Sequence, residues 1–298
     1  MLPRFELYQP TTLPEALGML SETGGNVRPF AGGTNLIPDL RGGREQARKF
    51  VSLAGLDDLR FTRFANGRVE IGSLTTVSDL HRSHEVLRNA PALHASATAF
   101  AGHMVRCTAT IAGNICYGSP SADLLPPLLS LDANVTLASA AGLRILPLSR
   151  FNLGYKQTAL KPGEMMTQIS WPQPARGTVQ LFYKLGLRKG DAISVISAAV
   201  SLTLKQMVCT HARIALGSVA ATVVRAERAE ALLLGRELTE KLIGEAAELA
   251  ADASAPIDDL RASKEYRLHT ARVLVRRLLR QAAEGPGEAG STRRSTEG

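Results

Sequence analysis

The stretch "RPFAGGTNLIPDLRGG" (28–43) places four glycines and two prolines in sixteen positions, with Thr34 and Asn35 at its centre. It follows a short apolar run that reads as a strand, so it turns the chain sharply. A turn of this kind can do one of two things. It can spare side-chain volume in a crowded core, or its successive backbone N–H groups can form a nest that holds an anion, with Thr and Asn adding donors. The glycines match neither GxGxxG nor GxxxxGK[ST]. A second stretch has the same chemistry: "TATIAGNICYGSPSADLLPPLLSLDA" (108–133) sets Thr110, Ile111, Ala112, Gly113 and Asn114 ahead of an apolar helix. Two nests could clamp the two phosphates of a dinucleotide, and two tight turns remain the alternative.

The rest of the chain bounds what such loops could serve. The 298 residues exceed or fill a single core, which stops growing at about 250–300 residues, and 45% are apolar. The net charge of +8 raises nucleic acid as a partner. However, aromatics are sparse, no basic run interleaves with them, and much of the excess sits in "RVLVRRLLR" (272–280) and the tail. Nucleic acid is therefore not expected. Cys107, Cys116 and Cys209 form no CxxC or metal-ligand pattern and suit a reducing cytoplasm. No apolar run is long enough to span a membrane, so a cytoplasmic chain without membrane insertion is expected.

Working outward, "FELYQP" (5–10) is extended, and "TTLPEALGMLSETGG" (11–25) is a helix capped by Thr11 or Thr12 and ended by Gly24-Gly25. "KFVSL" (49–53) is a buried strand. "GRVEIGS" (67–73) alternates Val69 and Ile71 as a strand with one wet face, and a helix runs from Pro91 to about Ala101. Beyond the link "PQPARG" (172–177), three antiparallel strands are expected in 178–188, 192–204 and 211–219. Helices follow at about 225–234, 239–254 and 263–283. The units are residues 1–53, 54–174 and 175–284, and 285–298 is a disordered tail.

Taken in order, these stretches resemble the FAD-binding medium subunit of the molybdenum hydroxylases, the family of xanthine dehydrogenase and carbon monoxide dehydrogenase. "AGGTNL" (31–36) is similar to the family's first flavin loop and "IGSLTT" (71–76) to the strand and turn after it. Residues 108–133 resemble its second loop. "FNLGYKQTALKPGEMMTQISWP" (151–172), "FYKLGLRKGDAISVISAAVSL" (182–202) and "ASKEYRLH" (262–269) resemble later segments. The resemblance implies an α+β fold. A two-subdomain FAD-binding domain of the vanillyl-alcohol-oxidase-like (PCMH) type would precede a C-terminal domain with a three-stranded antiparallel sheet and helices.

The resemblance also implies non-covalent FAD, with Pro29, Phe30, Ala31, Gly32, Gly33, Thr34, Asn35 and Leu36 wrapping its pyrophosphate. Thr110, Ile111, Ala112, Gly113 and Asn114 carry over as the second loop. Asp123 corresponds to an acid on the flavin's sugar-like portion, Phe100 to an aromatic packed on the cofactor, Met166 to an apolar contact and Lys184 to a lysine near the flavin. Each has a plainer reading: Asp123 as a helix cap, Phe100 and Met166 as core, Lys184 as an outward strand residue. The chain departs from the family at Ala112, where Gly is usual, so that position must hold a negative φ. It departs again at "MVRC" (104–107), where Gln-Ile-Arg-Asn is common.

The implied role is electron transfer, with the molybdenum cofactor on a molybdopterin-binding large subunit and the [2Fe–2S] clusters on a small one, in a heterotrimer. NAD or another acceptor would take the electrons. Three scattered cysteines cannot hold a [2Fe–2S] centre in the usual four-cysteine manner. A stand-alone FAD oxidase of the related fold and a non-redox nucleotide-binding scaffold subunit are the rival readings.

Overall fold

The computed structural model describes residues 2–21, 27–188 and 190–284. The expected helix end at Gly24-Gly25 and the tail from 285 lie outside the described residues.

The chain opens with β1 (Glu6–Tyr8), α1 (Leu13–Ser21), β2 (Val27–Phe30), α2 (Leu36–Arg41) and β3 (Lys49–Ser52). The three strands form a parallel sheet in the order β1-β3-β2. Thr12 starts α1, its hydroxyl accepting from the Glu15 N–H at 3.4 Å, and the helix lays Ala16, Leu17 and Leu20 on the sheet.

The next unit contains β4 (Thr62–Ala65), β5 (Arg68–Gly72), α3 (Val77–Arg82), α4 (His84–Asn89), α5 (Pro91–Ala99), α6 (His103–Thr108), α7 (Ile111–Cys116) and α8 (Leu125–Ser130). It ends with β6 (Asn134–Ser139), β7 (Gly142–Pro147), β8 (Asn152–Gly154), β9 (Gln157–Thr158) and β10 (Met165–Pro172). Five of these strands form an antiparallel sheet, β4-β5-β10-β6-β7, while β8 and β9 pair as a small hairpin. Alternation along β6 and β10 splits their side chains between two cores. Leu137 and Met166 join the helices in one core; Ala138 and Met165 join α1 and the parallel sheet in the other.

The C-terminal unit has β11 (Thr178–Gly186), β12 (Ser194–Lys205), β13 (Val208–Gly217), β14 (Val224–Arg225), α9 (Glu227–Leu233), α10 (Glu240–Asp252) and α11 (Lys264–Ala283). Its antiparallel sheet therefore has a fourth strand, β14, in addition to the three expected. A two-residue pairing, Ala215 with Arg225 and Leu216 with Val224, is too short to leave a periodic signal. The sheet is covered on one face by α11 and on the other by α5 and α8. This explains why β12 is buried along nearly its whole length and is rich in Ser, Ala and Val.

Helix α5 stops two residues short of the expected Ala101, because Phe100 turns extended at ψ 124° and Ala101 takes φ +32°. The arginines of α11 are largely committed within the fold: Arg272 pairs with Glu248 and Arg280 with Glu240, both on α10. None of the helices among the described residues is long and apolar enough to cross a membrane.

Candidate functional site

A cavity of about 620 Å³ lies between the two glycine loops, within the size range of ligand pockets. The first loop leaves β2 at Phe30 and enters α2 at Leu36. The Ile37 N–H bonds the Gly33 carbonyl at 2.9 Å, closing the first helical turn. Among the described residues, the N–H groups of Gly32 to Leu36 have no protein acceptor. The two glycines are needed for different reasons. A Cβ on Gly32 would stand 1.8 Å from the Thr108 carbonyl oxygen at the end of α6. Gly33 takes φ +68°, a conformation that penalises any side chain.

The second loop is built otherwise. Thr110 caps α7, its hydroxyl accepting from the Gly113 N–H at 3.1 Å. The Ile111 N–H bonds the Thr75 carbonyl at 3.0 Å, Ala112 bonds Ser73 at 3.2 Å and Asn114 bonds Thr110 at 3.0 Å. Its amides are thus spent on the "IGSLTT" turn and on its own cap, so the expected second nest is not open. What this loop presents to the cavity is side chains and Cα surface at Thr110, Ala112, Gly113 and Asn114. Ala112 sits inside α7 and is absent from the positive-φ residues, so the departure from Gly is accommodated by a helical backbone.

Of the residues named from sequence, Pro29 through Leu36, Phe100, Thr110, Ala112, Gly113, Asn114 and Met166 line the cavity. Ile111 does not: it is fully buried in the core beneath α7. Asp123 and Lys184 also lie off the lining and pair with each other, Lys184 Nζ donating to Asp123 Oδ2 at 2.6 Å and to the Ala99 carbonyl at 3.1 Å. Burial raises the Asp123 pKa despite this ammonium. Asp123 Oδ1 has no partner among the described residues.

Together with Arg106, which donates to the carbonyls of Thr98, Phe100 and Ala101 at 3.0–3.2 Å, Lys184 fixes the turn that carries Phe100. Arg106 is the retained arginine of the altered "MVRC" stretch, whereas Met104 and Cys107 point to solvent.

Several lining residues were not expected: Ser73, whose buried Oγ has no partner among the described residues, and Asp39, Arg44, Tyr117 and Lys156. They lie in turns or one helical turn past a loop, where no periodicity marks them. Cys116 also lines the cavity, and burial pushes its thiol up to about 12. That burial disfavours its thiolate, and His103 lies outside the lining.

A family model described as the FAD binding domain in molybdopterin dehydrogenase matches residues 3–174, and one described as the CO dehydrogenase flavoprotein C-terminal domain matches residues 181–282. This chain belongs to the FAD-binding subunits of the molybdenum hydroxylases. The carbon monoxide dehydrogenase medium chain of Hydrogenophaga pseudoflava is 32% identical over 94% of this chain and 97% of its own length. A putative xanthine dehydrogenase FAD-binding subunit of Escherichia coli K12 is 30% identical over 94% of this chain and 96% of its own.

Among solved structures, a carbon monoxide dehydrogenase from H. pseudoflava lacking the Mo-pyranopterin moiety of its cofactor superposes with a TM-score of 0.92 at 33% identity. That match covers 95% of this chain and 98% of the other. Quinoline 2-oxidoreductase from Pseudomonas putida 86 superposes at 0.89 with 28% identity, covering 95% and 98%.

The chain is therefore an FAD-dependent oxidoreductase subunit with the expected α+β fold, a PCMH-type domain followed by the flavoprotein C-terminal domain. The residues present fit a flavin dinucleotide. The open amides ahead of α2 suit phosphate, the unpartnered Ser73 Oγ offers a further polar contact, and Phe100 and Met166 supply apolar wall.

Proposed function

We propose that this subunit carries electrons in a heterotrimeric molybdenum hydroxylase of the cytoplasm, with FAD held non-covalently between its two glycine loops. Its partners are a molybdopterin-binding large subunit and a small subunit bearing [2Fe–2S] clusters, and NAD or another acceptor takes the electrons. When bound, FAD supplies redox chemistry in one- and two-electron steps. The chain supplies position and field.

The N–H groups of Gly32 to Leu36, at the positive end of α2, hold the pyrophosphate. Thr110, Gly113 and Asn114 line the cavity from α7 and would wall the bound group, and Phe100 and Met166 would shield it from water. Asp123 and Lys184 act from behind, bracing the Phe100 turn through the Ala99 carbonyl. No general base is required of this subunit. The relatives, by their names, act on substrates as different as carbon monoxide and quinoline with this same fold, so substrate choice belongs to a partner subunit.

The observation that carries the proposal is the run of unpaired amides facing a cavity between the loops. The test is the visible spectrum of the purified complex. Flavin absorbance near one FAD per chain, fully released by acid, is expected. Absence of flavin would leave the scaffold reading standing, and flavin retained on acid-precipitated protein would favour the oxidase type with a covalent cofactor.

A further inference from the structure

Four side chains outside both glycine loops meet at one wall of the cavity. Asp39, one turn into α2, accepts from Arg44 Nε at 2.7 Å, the Tyr117 hydroxyl at 3.0 Å and Lys156 Nζ at 3.3 Å. The Lys156 ammonium also lies 4.4 Å from the centre of the Tyr117 ring, within cation–π range. The cluster joins three parts of the chain: α2 after the first loop, the end of α7 after the second, and the tip of the β8–β9 hairpin. With one carboxylate and two cations it carries a net positive charge.

The hairpin tip is held firmly. Lys156 has φ +54°, its N–H bonds the Gly118 carbonyl at 2.9 Å, and a Cβ on Gly118 would stand 2.9 Å from the Lys156 Cα. A non-glycine residue in the left-handed region persists only where its surroundings over-determine it, and such positions gather at functional sites.

A pyrophosphate between the loops needs counter-charge from both sides. The first loop has open amides, but those of the second are already bonded to protein. Side chains must supply the deficit. Of the lining cations, Arg28 and Arg44 have side chains that are 59% and 62% exposed, whereas that of Lys156 is 31% exposed. As whole residues Lys156 and Lys161 are both exposed, so the contrast rests on the side chain of Lys156 against those of the two arginines. A less hydrated ammonium interacts more strongly with an anion, and its three donors leave capacity beyond the bond to Asp39.

On the reading of this cavity as the FAD site, on which the inference rests, we propose that Lys156 binds the cofactor's pyrophosphate, with Asp39 and Tyr117 as positioning residues that hold its ammonium at the cavity wall. The ligand class is the adenosine diphosphate half of the dinucleotide, and riboflavin gains nothing from this contact.

The test uses the full chain stripped of flavin, titrated with FAD, ADP and riboflavin by fluorescence and calorimetry. K156M is expected to weaken FAD and ADP by roughly 10- to 100-fold, as for loss of a charge-assisted hydrogen bond, to leave riboflavin unchanged, and to flatten the salt dependence. K156R restores most of the ADP affinity. Y117F and D39N weaken ADP by smaller factors with riboflavin again unchanged. K156M binding ADP as the wild type does would overturn the proposal, as would equal loss of ADP and riboflavin affinity, which would make Lys156 only a structural brace. A wild-type chain that binds neither FAD nor ADP would overturn the cavity reading itself.

Discussion

In the first glycine loop the amides of Gly32 to Leu36 have no partner among the described residues, whereas in the second those of Ile111 to Asn114 are bonded to Thr75, Ser73 and Thr110. Both loops join small residues to Thr and Asn, and both border one cavity. The difference lies in what stands behind each. The first loop lines the cavity with amides that no described residue accepts from. The second folds back against the turn after β5, whose carbonyls take its donors, so it acts as a shaped wall. Similar composition therefore gives a binding element in one place and a packing element in the other.

The largest effect is expected at Gly32. Replacing it with Val drives a side chain into the Thr108 carbonyl, 1.8 Å from the would-be Cβ, and backbone cannot swing aside as a side chain can. Overpacking costs about 1–3 kcal/mol or more, so flavin content should fall to near zero and the melting temperature should drop. Normal flavin content would show that the loop can move away from α6.

Gly33→Ala should be milder. The φ of +68° costs about 1–2 kcal/mol and the Phe30 ring, 2.5 Å from a Cβ, must shift. Roughly tenfold weaker FAD binding in a fluorescence titration is expected.

In the second loop, Thr110→Ala removes the cap on Gly113 and should cost about 1 kcal/mol in denaturant unfolding. Ala112→Gly, which restores the residue usual in the family, should lower stability by about 0.5–1 kcal/mol and leave FAD affinity within about twofold, since its amide is already bonded. A marked gain in affinity would mean that the two loops are equivalent after all.

The cluster beside the loops gives a pH test. Burial alone would raise the Asp39 carboxyl, but hydrogen bonds from Arg44, Tyr117 and Lys156 outweigh it and hold the pKa below the ordinary 3.8. A group depressed in the folded state stabilises fully above its unfolded pKa and loses that contribution as pH falls through the folded value. Acid titration of stability should therefore show a component below about pH 3.8 that Asp39→Asn removes; an unchanged acid limb would count against the cluster.

Much of the fold was legible because its signals are local. The alternation of Val69 and Ile71, the stripe of Leu17 and Leu20, and the small-residue run of β12 each follow from burial on a known period. The first glycine loop was visible as a loop, the second is the capped first turn of α7, and most of the residues named in both line the cavity. Asp123 and Lys184 were singled out and lie off the cavity lining, paired with each other and with the Ala99 carbonyl, a long-range contact that no local pattern records. Asp39, Tyr117 and Lys156 were missed. Their chemistry exists only where three distant segments meet.

The sequence by itself determined the family and the order of the elements, since periodic burial is a property of neighbours in the chain, whereas the need for glycine at position 32 comes from the distant Thr108 carbonyl. Only the tertiary structure decided which loop keeps its amides for a ligand. That choice depends on carbonyls contributed by residues 73 and 75, distant in sequence from the loop whose donors they take. It also decided that Lys156 arrives at the cavity wall, because a hairpin tip docks on Gly118 and no local pattern records that contact.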